Sequence, residues 1–193
     1  MLHLAAADGS LADLRMPFPW QGPGVAPRPG DDPLESAARW SRSLDAGRLC
    51  FCLLVRRGGY AVAVVEGGQV RASKVGSRYV QSRTAAGGWS QQRFARRRVN
   101  QASGLATATA DHLARVAQPW LAHAGATGWL ITGGDEALIA EVLLDPRIKI
   151  LAGLRRGPHL IIGDPKGETV RRLPELITGL QVTITDPVPG SIG

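Results

Sequence analysis

The architecture of the chain follows from three successive runs of strand-forming residues, Leu49-Cys-Phe-Cys-Leu-Leu-Val55, Tyr60-Ala-Val-Ala-Val-Val65 and Gln69-Val-Arg-Ala-Ser-Lys-Val75. The first run is continuously apolar, which is typical of a strand that is covered on both faces. Glycine pairs at 58–59 and 67–68 separate the runs and favour tight turns. The three runs therefore predict an antiparallel meander.

The third run is more polar than the first two. Strict alternation predicts that Val70, Ala72 and Lys74 share one face of the strand, because successive side chains point to opposite sides. The other face then carries the set Arg71, Ser73 and Val75. We expect the less apolar face to meet solvent or a ligand, which places basic groups at a sheet edge.

After the meander along the sequence, the spacing of apolar residues changes to that of a helix. They recur three and four positions apart from a start near Gln91, and Leu121 closes the stripe before Gly125. Gly104 lowers helix stability by about 1 kcal/mol relative to alanine, which permits a kink or a frayed start there. The stripe consists of Leu105, Thr109, Leu113, Val116 and Trp120.

The remainder of the chain has the pattern of strand–helix units. Asp135 caps one predicted helix and Pro146 lies past its end, while Leu160–Ile162 fits either a strand or a buried turn. The predicted elements are strands at 128–132, 148–151 and 181–185 and helices at 137–144 and 169–180. The fold class is therefore α+β (mixed α/β): an antiparallel meander, a long helix after a glycine-rich loop, then strand–helix units.

The chain divides into three segments. Residues 1–47 form a proline-rich N-terminal arm, in which the density of Pro and Gly forbids regular structure from residue 17 onward and Asp32-Pro33 starts a short helix. Residues 48–187 form the main domain. Residues 188–193 are a frayed tail.

Composition excludes several classes of protein. The longest apolar stretch, Leu49–Val55, is far shorter than the roughly 20 residues that span a bilayer, and no leader precedes an apolar run. The two cysteines, Cys50 and Cys52, share one strand face without a third partner, and the four histidines show no ligand spacing. We therefore expect a soluble cytoplasmic protein with no metal, no cofactor and no membrane partner.

The net charge is concentrated in one quarter of the chain. The protein carries 23 basic and 16 acidic residues, a formal net charge of +7. Residues 67–110 contain no acidic residue and eight basic ones, so these 44 residues carry +8 and the other 149 carry −1. Such a block indicates a polyanionic partner, with nucleic acid favoured over the alternative of a solvated basic helix. The basic residues are Arg71, Lys74, Arg78, Arg83, Arg93, Arg96, Arg97 and Arg98.

Within this block lies Gly87-Gly-Trp-Ser-Gln-Gln-Arg-Phe-Ala-Arg-Arg-Arg98. Gly87 and Gly88 let the backbone approach another polymer closely. Trp89 offers a face for base stacking, which is worth about 1–3 kcal/mol per base.

The polar residues that follow have two further properties. The neutral side chains of Ser90, Gln91 and Gln92 can orient water or a hydroxyl. Arginines at 93, 96 and 97 share one helix face because they lie at i, i+3 and i+4. From the residues alone, two interpretations are equal: a tip that enters a narrow anionic cavity, and a flexible basic linker without chemistry.

The same segment resembles the tip of the catalytic domain of eukaryotic and archaeal peptide-chain release factors, in which GGQ precedes a small polar residue and an RFAR-type basic helix. Gly87 and Gly88 match the paired glycines, but Trp89 replaces the glutamine. Gly88-Trp-Ser-Gln91 instead fits the G-x-x-Q pattern of the related VLRF family, release-factor-like peptidyl-tRNA hydrolases that act on stalled-ribosome products. The Arg-rich, Lys-poor composition is compatible with an actinobacterial branch. The resemblance covers residues 87–98 in motif and 49–186 in organisation.

The resemblance implies a fold like the release-factor catalytic domain and cleavage at the acceptor end of peptidyl-tRNA on the large ribosomal subunit. Gln91 would position water or a tRNA hydroxyl in the peptidyl-transferase centre, with Gln92 as the rival candidate. The loop Gly87, Gly88, Trp89 and Ser90 would lie beside the CCA end. Phosphates of tRNA or ribosomal RNA would be held by Arg93, Arg96, Arg97, Arg98, Arg83 and Lys74.

Two alternatives stay open within this hypothesis. The bond cleaved is either the peptidyl ester or a phosphodiester near the CCA end. The whole protein is either a hydrolase or a non-catalytic RNA- or ribosome-binding module. In both cases we expect the 83–92 loop to be poorly ordered without its partner.

Two further motifs carry weaker signals. Asp111-His112 on the long helix suggests acid–base work, but no nucleophile lies nearby in sequence, and a surface pair is the favoured interpretation. Gly133-Gly134-Asp135 could receive phosphate at a helix start, but it lacks the phosphate-binding glycine motifs and is interpreted as a capped turn.

Overall fold

The computed structural model describes residues 2–15, 30, 32, 35–36, 38, 48–77, 90–124, 128–178 and 181–186. Within these residues the protein has mixed α+β structure, as predicted. The strands are β1 Leu2–Ala5, β2 Leu11–Arg15, β3 Leu49–Arg56, β4 Gly59–Glu66, β5 Gln69–Ser77, β6 Trp129–Gly134, β7 Arg155–Leu160 and β8 Gln181–Thr185. The helices are α1 Ser90–Ala124, α2 Glu136–Leu143, α3 Lys149–Ala152, α4 Gly167–Arg171 and α5 Leu173–Thr178, with a 3-10 turn at Pro146–Ile148. The predicted short helix after Asp32 and the predicted C-terminal tail fall largely or wholly outside the described residues.

The main sheet has the strand order β5-β4-β3-β6-β7. Strands β3, β4 and β5 pair antiparallel, which confirms the meander, and β6 and β7 continue the sheet parallel to β3. Strand β3 is buried along its whole length except at Arg56, as its unbroken apolar sequence predicts.

The core is divided between the two faces of this sheet. On one face Phe51, Leu53 and Val55 pack with the apolar stripe of α1, which includes Leu105 and Leu113. On the other face the remaining side chains of β3 pack with those of α4 and α5. Helices on both faces explain why the central strand carries no charged side chain before Arg56 at its end.

The predicted alternation of β5 is wrong at one end. Val64 pairs with Ala72 but Val65 pairs with Val70, so Arg71 is an extra residue in a β-bulge. Because the bulge shifts the phase of the strand, Val70 packs with Val75 in the core cluster beneath α4 and α5 rather than with Ala72 and Lys74.

The predicted strand at 148–151 is also wrong. The Asp145 carboxylate accepts a hydrogen bond from the Arg147 amide at 2.9 Å, and Pro146 fixes a helical φ at the first position of a 3-10 turn. Ile148 and Leu151 are buried at the helical spacing of three residues. The strand of the main sheet is β7 instead, which ends at Leu160.

A second sheet joins the two ends of the described chain. Its order is β1-β2-β8, and β8 is the predicted final strand. Strands β1 and β2 were not predicted from the sequence. Strand β2 pairs antiparallel with β8 from Leu11↔Thr185 to Arg15↔Gln181.

Gly134 at the end of β6 is required by its backbone. It has φ +99°, and a Cβ there would lie 2.2 Å from the Val55 carbonyl oxygen, which accepts a hydrogen bond from the Asp135 amide at 2.8 Å. We expect Gly134→Ala to lower the free energy of unfolding by about 2–4 kcal/mol. Urea unfolding measures this effect, and Gly163→Ala is the control, since nothing lies within 4 Å of a Cβ at Gly163. If Gly134→Ala is as stable as Gly163→Ala, a Cβ at position 134 causes no strain, which would contradict this expectation.

Candidate nucleic-acid interface

The predicted interface starts at one edge of the main sheet. Strand β5 runs parallel to β3, because each is antiparallel to β4 between them. Ser77 at the end of β5 therefore lies on the same edge as the ends of β3, β6 and β7, here called the carboxyl edge. The chain leaves the sheet at Ser77 and enters helix α1 at Ser90.

The structure describes only some of the predicted site residues. Gly87, Gly88, Trp89 and Arg83 lie outside the described residues. Ser90, which was predicted to lie in the loop, belongs to the first turn of α1 together with Gln91 and Gln92, near which the helix was predicted to begin. A helical start is natural there, because glutamine, arginine and alanine are good helix formers. The arginines at 93, 96, 97 and 98 follow in the next two turns of the same helix.

Helix α1 begins well before the first of its described side chains that packs on the core. Its 35 residues span roughly 52 Å at 1.5 Å per residue. Among the side chains that the structure describes, Ala102 is the first in α1 to pack against the core. The helix begins at Ser90, 12 positions before Ala102, or roughly 18 Å earlier along its axis. The candidate glutamines thus lie in the first turn of α1, ahead of its described core contacts.

The start of α1 is electropositive for two reasons. The first turn contains no acidic residue, so nothing offsets the partial positive charge of the helix N-terminus. The arginines between 93 and 98 add formal positive charge to the same end. Because like charges there oppose helix formation, an anion bound at this end stabilises it.

Two basic residues of β5 have different roles. The Arg71 Nε atom lies 3.3 Å from Glu66 Oε2, and its Nη1 donates to Gln69 at 3.2 Å. Lys74 is exposed and, among the described residues, has no acidic group within 4 Å. Of these two residues, only Lys74, the one predicted to bind RNA, keeps its charge available for a phosphate.

Lys74 belongs to a basic cluster that the sequence analysis missed. His112 of α1 stacks on the Tyr60 ring, with centroids 5.6 Å apart and planes inclined by 19°. Burial lowers the pKa of His112, and the charges of Arg115 and Lys74 lower it further against the opposing effect of Asp111. Arg115 is exposed. Lys74 and Arg115 are thus near enough to His112 for their charges to act on it, and these three residues are here called the basic cluster. Its only sequence signal was the i, i+3 spacing of His112 and Arg115.

The lowered pKa of His112 gives stability a pH dependence. A histidine that is harder to protonate in the folded state binds fewer protons there than in the unfolded chain. Its contribution is therefore present above the ordinary pKa of about 6.5 and is lost as the pH falls below it. Chemical denaturation should show a smaller loss of stability between pH 7.5 and pH 5.5 for His112→Gln than for the wild type. If the two proteins lose the same stability over this pH range, the lowered pKa of His112 is not the cause of the loss.

Asp111 and His112 do not act as an acid–base pair. The Asp111 carboxylate accepts a hydrogen bond from Arg147, which also forms an ion pair with Asp145 at 2.5 Å. Hydrogen bonds from Arg147 lower the pKa of Asp145 to about 2. These contacts tie α1 to the 3-10 turn, so Asp111 has a structural role.

The other candidate motif is also structural. Asp135 caps α2, and its Oδ1 accepts hydrogen bonds from the amides of Ala137 and Leu138 at 3.1 and 3.2 Å. These amides are therefore already paired within the protein. The capped-turn interpretation of Gly133-Gly134-Asp135 is confirmed.

The two cysteines are buried thiols. Cys50 and Cys52 are free and buried on the same face of the sheet. Burial raises the pKa of Cys50 to about 12 and raises that of Cys52 well above its ordinary value. In the part of the chain that the structure describes, no three His, Cys, Asp or Glu residues come together as a metal site. No described helix is both long and apolar enough to cross a membrane.

The sheet with its antiparallel meander, and the long basic helix that begins after the glycine-rich segment, together define a release-factor-like domain. The family of the Actinobacteria/chloroflexi VLRF1 release factor, acVLRF1, has a model that matches residues 48–183. Since this match covers more than half of the chain, the protein belongs to that family and has a release-factor-like role in translation. No curated protein matches the chain.

Proposed function

We propose that the protein is a peptidyl-tRNA hydrolase that frees nascent chains from tRNA on stalled ribosomes or large subunits. One observation carries the proposal: α1 begins at Ser90, roughly 18 Å before the first described side chain that packs on the core. The position of Gln91 in the first turn of this helix supports a role for it at a site inside another macromolecule. Membership of a release-factor family supports the same conclusion.

The proposed chemistry is orientation rather than proton transfer. The amide of Gln91 has no useful pKa for acid–base catalysis, so it acts by positioning the attacking water or a tRNA hydroxyl. Gln92 is its neighbour in the same turn and the rival for this role. Preorganised donors aimed at developing charge act most strongly where water is excluded, which the peptidyl-transferase centre of the ribosome provides.

In this proposal the basic residues bind RNA, and the catalytic glutamine takes part in the reaction. Phosphates of tRNA and ribosomal RNA are held by Arg83, Arg93, Arg96, Arg97 and Arg98 near the tip. Lys74 and Arg115 of the basic cluster hold RNA further along α1. Gly87, Gly88 and Trp89 line the path beside the CCA end. The partners are peptidyl-tRNA and the large subunit, which places the protein in the cytoplasm.

The test is peptide release by the purified full chain. Large subunits that carry a labelled peptidyl-tRNA are isolated and incubated with the protein, and a gel separates peptidyl-tRNA from free peptide. We expect the peptidyl-tRNA band to disappear with time. If the protein binds these subunits but the band persists, the chain is instead a non-catalytic RNA- or ribosome-binding module.

A further inference from the structure

A cavity of about 500 Å³ opens at the carboxyl edge of the main sheet. It lies where β3, β6 and β7 end, between the turn after β3, the start of α2 and the loop after β7. These three strands are parallel to one another. In sheets of parallel strands, ligands bind in the crevice outside the carboxyl ends of the strands. The volume lies within the 300–1,000 Å³ that is usual for small-molecule sites.

Two arginines and two aspartates line the cavity, and the arginines have donors that can bind an anionic group. Arg57 keeps 79% of its side chain exposed, and its Nε lies 3.9 Å from Asp135 Oδ2, too far for a hydrogen bond. Asp135 is already engaged by the helix amides that it caps. Arg56 donates one hydrogen bond, from Nη1 to the Ile162 carbonyl at 3.0 Å, and a guanidinium has five N–H donors. Both arginines therefore have donors to give to a ligand.

His159 adds a polar group to the cavity lining. Its Nδ1 lies 3.1 Å from the hydroxyl of Thr132, and this hydrogen bond orients the exposed ring. Nε2 is the ring nitrogen that remains for a ligand in the cavity, which His159 helps to line. A ring held through one nitrogen presents the other in a defined direction.

The remaining lining supplies two further kinds of contact. Ile161 helps to line the cavity, and its apolar side chain is fully exposed and therefore free to pack against a ligand. Asp164 is exposed and lines the same cavity. A carboxylate accepts hydrogen bonds from sugar hydroxyls, and an apolar side chain covers the face of a base. The cavity thus combines groups for a phosphate, a ribose and a base.

We propose that this cavity binds one nucleoside monophosphate unit, with its phosphate on Arg56, Arg57 and His159, its ribose hydroxyls on Asp164 and its base against Ile161. The unit comes from one of two sources, a free mononucleotide or one nucleotide of an RNA strand. The second source is geometrically reasonable because Ser77, the last residue of β5, lies on the same sheet edge. This proposal does not depend on the hydrolase activity.

The test measures binding to the isolated full chain by calorimetry, without ribosomes. The probes are adenosine 5′-monophosphate, adenosine and inorganic phosphate. We expect the monophosphate to bind at least tenfold more tightly than either of the others. Arg57→Gln should weaken that binding about tenfold or more, because it removes a charged phosphate contact. The matched control is Arg172→Gln, which replaces an exposed arginine that does not line the cavity. It should leave the affinity for the monophosphate unchanged.

Three results would overturn the proposal: no saturable binding up to about 10 mM monophosphate, adenosine or phosphate binding as tightly as the monophosphate, or unchanged binding in a folded Arg57→Gln variant. His159→Gln gives a second variant at the same site, in case the first does not fold. A six-residue oligoadenylate distinguishes the two sources. If the oligoadenylate displaces the monophosphate and Arg57→Gln weakens the binding of the oligoadenylate, the source is RNA. If the oligoadenylate does not compete, the source is a free nucleotide.

Discussion

Gln91→Ala should slow peptide release from stalled large subunits by a factor on the order of 100 to 1,000, while binding to the same particles changes less than twofold. Losing one group that orients the reacting atoms in a water-excluded site costs this much in other acyl-transfer reactions. Alanine keeps the helical start of α1, because it is the best helix former. Single-turnover release, measured with excess protein, separates the chemical step from binding.

Two matched variants make this result specific. Gln92→Ala tests the rival glutamine in the same turn, and Gln118→Ala removes an exposed glutamine from the part of α1 that lies on the domain. We expect Gln118→Ala to release peptide at the wild-type rate. If Gln92→Ala shows the large loss and Gln91→Ala does not, the assignment of the two residues is reversed. If Gln91→Ala and Gln92→Ala both release peptide at the wild-type rate, neither glutamine takes part in the reaction.

The double substitution Arg96→Ala and Arg97→Ala should weaken association with RNA-bearing particles on the order of 30-fold at low salt. Each arginine that neutralises a phosphate releases counterions, so removing two lowers the slope of log K against log salt by about 1.4 to 1.8. Fluorescence anisotropy over a salt series measures both quantities. The helix itself is retained, since alanine favours it.

The control removes the same charge elsewhere. Arg171 and Arg172 are exposed at the end of α4, outside the acid-free segment, and their double alanine variant has the same net charge. We expect this variant to bind with nearly the wild-type salt slope. Equal loss in both double variants would show that net charge, rather than the start of α1, determines binding.

Local sequence signals predicted the central elements of the fold. The glycine pairs and apolar runs specified the meander, since both act between neighbouring segments. The stripe from Leu105 to Trp120 specified the helix, because packing of that stripe on the sheet stabilises it. The backbone of the candidate glutamines was placed to within one helical turn.

Long-range packing accounts for the elements that the sequence did not predict. Strands β1 and β2 form a sheet with β8, whose sequence lies at the other end of the chain. The bulge at Arg71 changes the face of Val70 without altering the pattern of residue types. The apolar run at 148–151 fitted a strand or a helix equally, and the Asp145-Pro146 cap decided it. The basic cluster joins Lys74 to α1 through tertiary contact alone.

Mapping the 3′ end of the tRNA after reaction on purified stalled large subunits tests the central claim most directly. We expect the labelled peptide to be freed and every new tRNA end to lie at the acceptor terminus. An intact CCA end identifies cleavage of the ester, and a shortened one identifies cleavage of a phosphodiester. Peptidyl-tRNA that stays whole in the presence of bound protein, or tRNA cut elsewhere along its length, would contradict the account.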